Sequence, residues 1–339
     1  MIDVRSDTVT RPTPAMLETM MSAQVGDDVY GEDENVNALQ RTAATAFGME
    51  AALFCPSGTM TNQIAIKLHT QPGDEVICDE LAHTYLYEGG GIAFHSGASV
   101  RTLRGTAGRF TAAHVRDNVN RRDDAHLPWT RLVAVENTVN KGGGCCWDIE
   151  ELRRIRATCD DQGLALHLDG ARLYNALIAR NETPAEYGAV FHTISICLSK
   201  GLGAPTGSLL LGNREHIARA HRLRKLMGGG MRQAGYLAAA GRYALAHHVG
   251  RLADDHAKAR QVAAELPALP YVKSVLPVET NILIFNLDEA VTPDSYLQYL
   301  NGRGIRAGTM GKQSIRFVFH LDVSEDQTGQ LIDAIRAFH

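Results

Sequence analysis

The chain has 339 residues, 45% of them hydrophobic and 21% charged, enough for one large apolar core and a smaller second one. A net charge of -4 gives no electrostatic reason to expect nucleic acid or an anionic membrane as partner. Apolar runs are short and interrupted, so no segment is expected to span a bilayer, and the amino end, Met1-Ile2-Asp3-Val4-Arg5-Ser6-Asp7, carries acids rather than the apolar stretch of a secretory signal.

Residues 1–14 are expected to form an extended arm, because Pro12 and Pro14 delay the first helix, which then has helical spacing from Pro14 to Met21. Gly26 to Asp33 is acidic and turn-rich and reads as a solvated loop, although Tyr30 among glycines hints at a close approach to something. An amphipathic helix is expected over Asn35 to Phe47, with Val36, Leu39, Ala43, Ala46 and Phe47 on one face. Ala51 to Cys55 reads as a buried strand running into Pro56-Ser57-Gly58-Thr59 and then a helix through Met60, Ile64, Ala65 and Leu68. Strand, small-residue turn and helix aim free backbone N–H groups and a helix dipole at an anion, and Ser57, Gly58 and Thr59 let a phosphate approach. Neither a Walker loop nor G-x-G-x-x-G is present, so a plain N-capping turn is the alternative.

Glu75 to Cys78 is the next strand, and His83 follows it, placed either to stack on an aromatic cofactor or to lie at the surface. Residues 100–128 are polar, with an exposed charged run from Arg116 to Asp124, and His126 lies on the loop leading into the strand Leu132 to Asn137. Gly142-Gly143-Gly144 breaks the chain, and Asp148 caps a helix from about Ile149 to Asp161. The run Leu164 to Leu168 ends on Asp169, Gly170 gives a tight exit, and Arg172 lies on the outgoing turn. Ser195 to Ser199 is a short buried strand that ends on Lys200, with Gly201, Gly203 and Pro205 preventing its continuation. An amine held at the rim of a buried sheet is desolvated, and a lowered pKa suits a lysine that condenses with a carbonyl. A strand-capping lysine pointing at solvent is the bland alternative.

A helix over residues 214–227 carries Arg214, Arg219, Arg222, Arg224 and Lys225, ends at Gly228-Gly229-Gly230, and is followed by Arg232. One long helix is expected from Gln233 to about Glu265. The chain is expected to leave the main core near residue 254, giving an arm (1–14), a large cofactor-binding domain (15–253) and a small α+β domain (254–339) with strands near 282–287 and 314–319 and helices near 293–303 and 324–338. Repeated strand–helix units argue an α/β fold with a mostly parallel sheet and helices on both faces. The six cysteines, Cys55, Cys78, Cys145, Cys146, Cys159 and Cys197, form no C-x-x-C pair and read as reduced, buried thiols of a cytoplasmic protein. The 14 histidines show no ligand spacing, so no metal site is expected.

Ligands of open α/β folds collect at the carboxyl ends of strands. Ser57-Gly58-Thr59, His83, Asp169 with Arg172, and Lys200 all stand there, and together they meet the requirements of pyridoxal 5'-phosphate. A lysine holds the aldehyde, a carboxylate keeps the pyridine nitrogen protonated, and a helix N-terminus takes the phosphate.

In these features the chain resembles the threonine aldolases, fold-type-I pyridoxal-phosphate enzymes with an aspartate-aminotransferase-like large domain. The stretches that carry the resemblance are Arg5-Ser6-Asp7-Thr8-Val9-Thr10, Gly26 to Asp33, Pro56-Ser57-Gly58-Thr59-Met60, His167-Leu168-Asp169-Gly170-Ala171-Arg172-Leu173, Leu198 to Pro205, and Arg224 to Gly235. The resemblance implies that Lys200 holds the cofactor, Asp169 pairs with the ring nitrogen, Ser57, Gly58 and Thr59 bind the phosphate, and His83 stacks on the ring. It implies that Ser6, Arg172 and Arg316 clamp the substrate carboxylate, that His126 contacts the β-hydroxyl, and that Lys225 and Arg232 lie near a phosphate, reaching a neighbouring subunit's site in a homotetramer. The activity implied is cleavage of L-threonine, L-allo-threonine or a related β-hydroxy-α-amino acid to glycine and an aldehyde, with His83 or a water held by His126 taking the hydroxyl proton. Val139, Phe319 and Glu34 depart from the family's usual histidine, threonine and proline, and are expected to bear on substrate choice. Two rivals follow: a β-eliminating lyase or racemase using the same cofactor, and a non-catalytic protein whose 214–232 cluster binds a polyanion.

Overall fold

The computed structural model describes residues 1–338. In chain order the strands are β1 (Ile2–Asp3), β2 (Ala51–Cys55), β3 (Asp74–Asp79), β4 (Ser99–Leu103), β5 (Trp129–Glu136), β6 (Ala165–Gly170), β7 (Thr193–Cys197), β8 (Ser208–Gly212), β9 (Val272–Val275), β10 (Ile282–Leu287), β11 (Ile305–Arg306), β12 (Gly308–Thr309) and β13 (Ser314–Val318). The first three helices are α1 (Pro14–Met21), α2 (Glu34–Ala46) and α3 (Gly58–His69).

A seven-stranded sheet in the order β2-β8-β7-β6-β5-β3-β4 forms the centre. Strands β3 to β7 run parallel to one another, whereas β8 is antiparallel to both β2 and β7. Every residue of β7 and β8 is buried, as a sheet covered on both faces requires. The period of two sorts β8 between the layers. Leu209 and Leu211 face the core that also takes Met16 of α1 and Leu39 of α2, while Leu210 faces Ile64 of α3 and Ile217.

A second, antiparallel sheet in the order β12-β13-β10-β9 packs around Phe285, Phe317, Tyr296 and Leu331. The arm belongs to this second core. β1 pairs in parallel with β11, and Ile2 and Val4 are buried among its apolar side chains. No helix among the described residues is long and apolar enough to cross a membrane.

Two expectations need correction. The stretch from Gln233 to Glu265 is two helices, Gly235–His247 and Leu252–Glu265, parted where His248 turns inward and its Nδ1 meets the Leu202 carbonyl at 2.7 Å. The acidic stretch 26–33 is not a solvated loop: Asp28 is buried against Arg224 at 2.8 Å, and Asp33 accepts the N–H groups of Gly26 and Gly235. Arg224 is therefore an interior residue, which removes it from any polyanion-binding patch. The polar stretch 100–128 also contains structure, namely β4 and the helix Ala112–Asn118, which Thr111 caps through its hydroxyl.

Candidate active site

Asp169, the penultimate residue of β6, pairs in register with Glu136 of β5 on one side and Ser195 of β7 on the other, so it stands at the carboxyl edge of the sheet. It is buried. Its Oδ1 accepts the Ala171 N–H at 3.1 Å and its Oδ2 accepts the Asn62 amide at 3.0 Å. The same Asn62 nitrogen donates to Glu88 Oε1 at 2.8 Å, and Gln63 donates to Glu88 Oε2 at 2.6 Å. His83 opens the short helix His83–Leu86, and its Nδ1 lies 3.3 Å from Glu88 Oε1. Ligand-type atoms of His83, Glu88 and Asp169 all lie within 4.8 Å of one another. The bond to Glu88 pushes the His83 imidazole above its ordinary pKa, against burial. Glu136 is pushed up to about 7 by burial and by the neighbouring Asp169 charge, while the backbone N–H groups of Asn140 and His83 pull the other way.

A cleft of about 320 Å³ opens beside this group, and Ser6, Thr8, His83, Tyr87, Asn140, Arg172, Lys200, Met310 and Arg316 line it. Strand β7 stops at Cys197, so Lys200 sits in the following turn, half-buried, with its carbonyl bonded to Gly203 N–H (2.8 Å) and Thr10 Oγ1 (3.0 Å). Gly203 has φ +77°, and a Cβ there would lie 2.7 Å from Leu321, so this turn tolerates no side chain.

The two arginines of the cleft differ. Arg172 is committed to Asp7 through two hydrogen bonds, 2.8 and 2.6 Å long, with both side chains buried. Arg316 meets only neutral oxygens: Asn140 Oδ1 and the Arg5 carbonyl, each at 2.9 Å, while its buried Nε finds no partner. Burial and the nearby Arg172 charge lower its pKa from the ordinary guanidinium value. An incoming carboxylate would satisfy what the chain leaves open at Arg316.

The remaining requirement is an anion seat. Ser57 caps α3, its Oγ accepting the Met60 N–H at 3.2 Å, and Ser57 and Thr59 are exposed at the helix start. A methyl group on Gly58 would lie 2.5 Å from Cys197 Sγ, so only glycine brings the first turn of α3 this close to β7. The donor set fits pyridoxal phosphate: an amine in the cleft, a buried carboxylate beyond it, and free N–H groups on α3.

Some predicted site residues lie elsewhere in a single chain. His126 is almost fully exposed on its loop, bonded only to Asp124, and does not line the cleft. Lys225 and Arg232 are exposed as well, Arg232 paired with Asp27 at 2.9 Å. The three departures also avoid the cleft. Val139 packs in the main core against Gly108, Phe319 is buried in the second core, and Glu34 starts α2 at the surface beside Arg41. Asn140, next to Val139, is the member of that stretch that reaches the cleft. Asp7, Asn62, Tyr87, Glu88 and Asn140 were not singled out from the sequence. Asp7 lies inside the noted stretch Arg5–Thr10, but nothing in the spacing of either acid distinguishes a buried carboxylate from a surface one.

The beta-eliminating lyase family matches residues 3–290. The chain belongs to the beta-eliminating lyase family. This lyase is 43% identical over 339 residues to the low specificity L-threonine aldolase of Escherichia coli (strain K12), covering 100% of this chain and 99% of that one. It is 39% identical over 334 residues to the low specificity L-threonine aldolase of Saccharomyces cerevisiae, covering 96% and 83% of the two chains. Its fold superposes on the threonine aldolase of Leishmania major with a TM-score of 0.87 at 23% identity, over 99% of each chain. It is a fold-type-I lyase, and its cofactor is pyridoxal 5'-phosphate.

Proposed function

We propose that this lyase cleaves L-threonine, L-allo-threonine or a related β-hydroxy-α-amino acid to glycine and an aldehyde. One observation carries the reading at the level of geometry: Lys200 and an Arg316 that no carboxylate of the chain neutralises line a single cleft. That pairing suits an α-amino acid, amine toward Lys200 and carboxylate toward Arg316. The full-length identity to low-specificity L-threonine aldolases supports the β-hydroxy class.

When bound, the cofactor supplies a protonated ring that stores the electron pair released as the Cα–Cβ bond breaks. The chain's own residues do the rest. Lys200, the amine of the cleft, would hold the cofactor. Asp169, its lone pairs oriented by Asn62 and Ala171, would keep the ring nitrogen protonated, and Ser57, Gly58 and Thr59 would seat the phosphate on α3. His83, held by Glu88 in the cleft, would lie against the cofactor and take the β-hydroxyl proton at an imidazole nitrogen. Ser6 adds a hydroxyl beside Arg316, while Arg172 shapes the cleft wall with its charge matched by Asp7.

His126, Lys225 and Arg232 are assigned to a neighbouring copy's cleft within a homotetramer. Their exposure supports this, as do the exposed apolar side chains of Leu127, Trp129 and Leu226 beside them. The division into a large and a small domain near residue 253 is supported by the two separate cores, with the arm's Ile2 and Val4 packed into the second. The six buried, unpaired cysteines support a cytoplasmic location. The test is to incubate the yellow holoenzyme with a panel of β-hydroxy-α-amino acids and identify products. Glycine with the matching aldehyde is expected; pyruvate and ammonia, or an inverted substrate alone, would overturn the reading.

A further inference from the structure

A buried line of hydrogen bonds runs away from Asp169 toward the opposite edge of the sheet. His167 precedes Asp169 by two residues in β6, so both side chains project toward α3. His167 Nε2 lies 3.1 Å from Asn62 Oδ1, its Nδ1 lies 3.0 Å from Thr193 Oγ1, and Thr193 Oγ1 lies 3.1 Å from His69 Nε2 at the end of α3. His167 and Thr193 are fully buried and Asn62 nearly so.

Donor and acceptor roles in this line follow from the carboxylates. Asn62 must turn its NH2 toward Asp169 and Glu88, since both partners only accept, and that leaves Oδ1 facing His167. His167 Nε2 must therefore carry a proton. Burial lowers the His167 pKa to about 4, so the ring is neutral and Nδ1 is left as an acceptor. Thr193 then donates its hydroxyl proton to Nδ1 and accepts from His69 Nε2. The Thr193 carbonyl, 3.2 Å from Nδ1, offers a partner should a proton arrive there.

We propose that His167 is a positioning residue for the lyase reaction: fixed as its Nε2–H tautomer by Thr193 and His69, it locks the Asn62 amide so that one side chain serves both Asp169 and Glu88. One neutral histidine thereby orients the carboxylate that protonates the ring nitrogen and the carboxylate that holds His83. The inference rests on the reading of Asp169 as the ring-nitrogen partner.

The test uses holoenzyme reconstituted with cofactor carrying ¹⁵N in the pyridine ring, and reads the nitrogen chemical shift alongside kcat and KM. Asp169→Asn should move the shift fully to the unprotonated position. His167→Phe and Thr193→Val should move it part of the way and lower kcat about tenfold, with KM changed less than about twofold. Thr193→Ser should restore the wild-type shift. Thr193→Val is nearly isosteric, so it carries the test should His167→Phe fail to fold. A wild-type shift and kcat in Thr193→Val would overturn the inference while leaving Asp169 in its role. A wild-type shift in Asp169→Asn would overturn the Asp169 reading itself.

Discussion

Arg172 and Asp7 form a two-point ion pair, Nε to Oδ2 at 2.8 Å and Nη2 to Oδ1 at 2.6 Å, that fastens the N-terminal arm to the exit of β6. Burial alone would push the Asp7 carboxyl up, but the Arg172 guanidinium overrides it and holds the group well below the usual carboxylate range. A folded pKa below the unfolded one means that the pair's stabilisation is present above about pH 4 and is lost as pH falls toward the lower folded value. Asp7→Asn strands a buried guanidinium and should cost about 3–5 kcal/mol at neutral pH. Denaturant titrations across pH check this: the variant's loss should shrink on the acid side.

Arg316 is the complementary case, because its partners are neutral and its Nε is open. Arg316→Lys keeps the charge but loses the planar fork, and kcat/KM should fall on the order of 100-fold, mostly through KM. Steady-state kinetics with unchanged thermal stability is the expected pattern; a fold-stability loss with normal KM would contradict it.

Glu88→Gln removes the carboxylate that raises the His83 pKa. If neutral His83 takes the hydroxyl proton, activity rises with pH through that pKa. The variant's acid limb of kcat/KM should then shift to lower pH, toward about 6.5. An unshifted limb would remove His83 from the proton-transfer role.

Lys200→Ala should abolish both turnover and the borohydride-trapped link between protein and cofactor. Turnover that survives in the variant would sink the assignment of Lys200.

The position of His126 makes a separate prediction. If it serves the cleft of another copy, inactive His126→Ala and inactive Lys200→Ala subunits should regain part of the activity when refolded together. Mixtures as inactive as their components would place His126 outside the shared site.

Much of the central sheet was readable because its strands are apolar on both faces and end on Asp169 or just before Lys200, where chemistry and topology coincide. The lysine, the carboxylate and the serine–glycine–threonine turn each announce themselves by interrupting an apolar run. Glu88 and Asn62 do not: each is an ordinary polar residue in a helix or turn, and burial by a distant strand makes it part of the site. The break near His248 was hidden for a related reason. Local helical spacing continues through it, and only the Leu202 carbonyl, far away in sequence, gives the ring a reason to turn inward. The departures at Val139 and Phe319 show the converse error, since a position inside a family motif can still point its side chain into a core.

The first ten residues tie the molecule's two halves together: Ile2 and Val4 sit in one core, Asp7 grips the other half's Arg172, and Thr10 holds the Lys200 carbonyl. A wide hinge swing between the halves would have to tear this stitch out. Tyr87 and Met310, which line the cleft, then bear on how bulky an aldehyde fits.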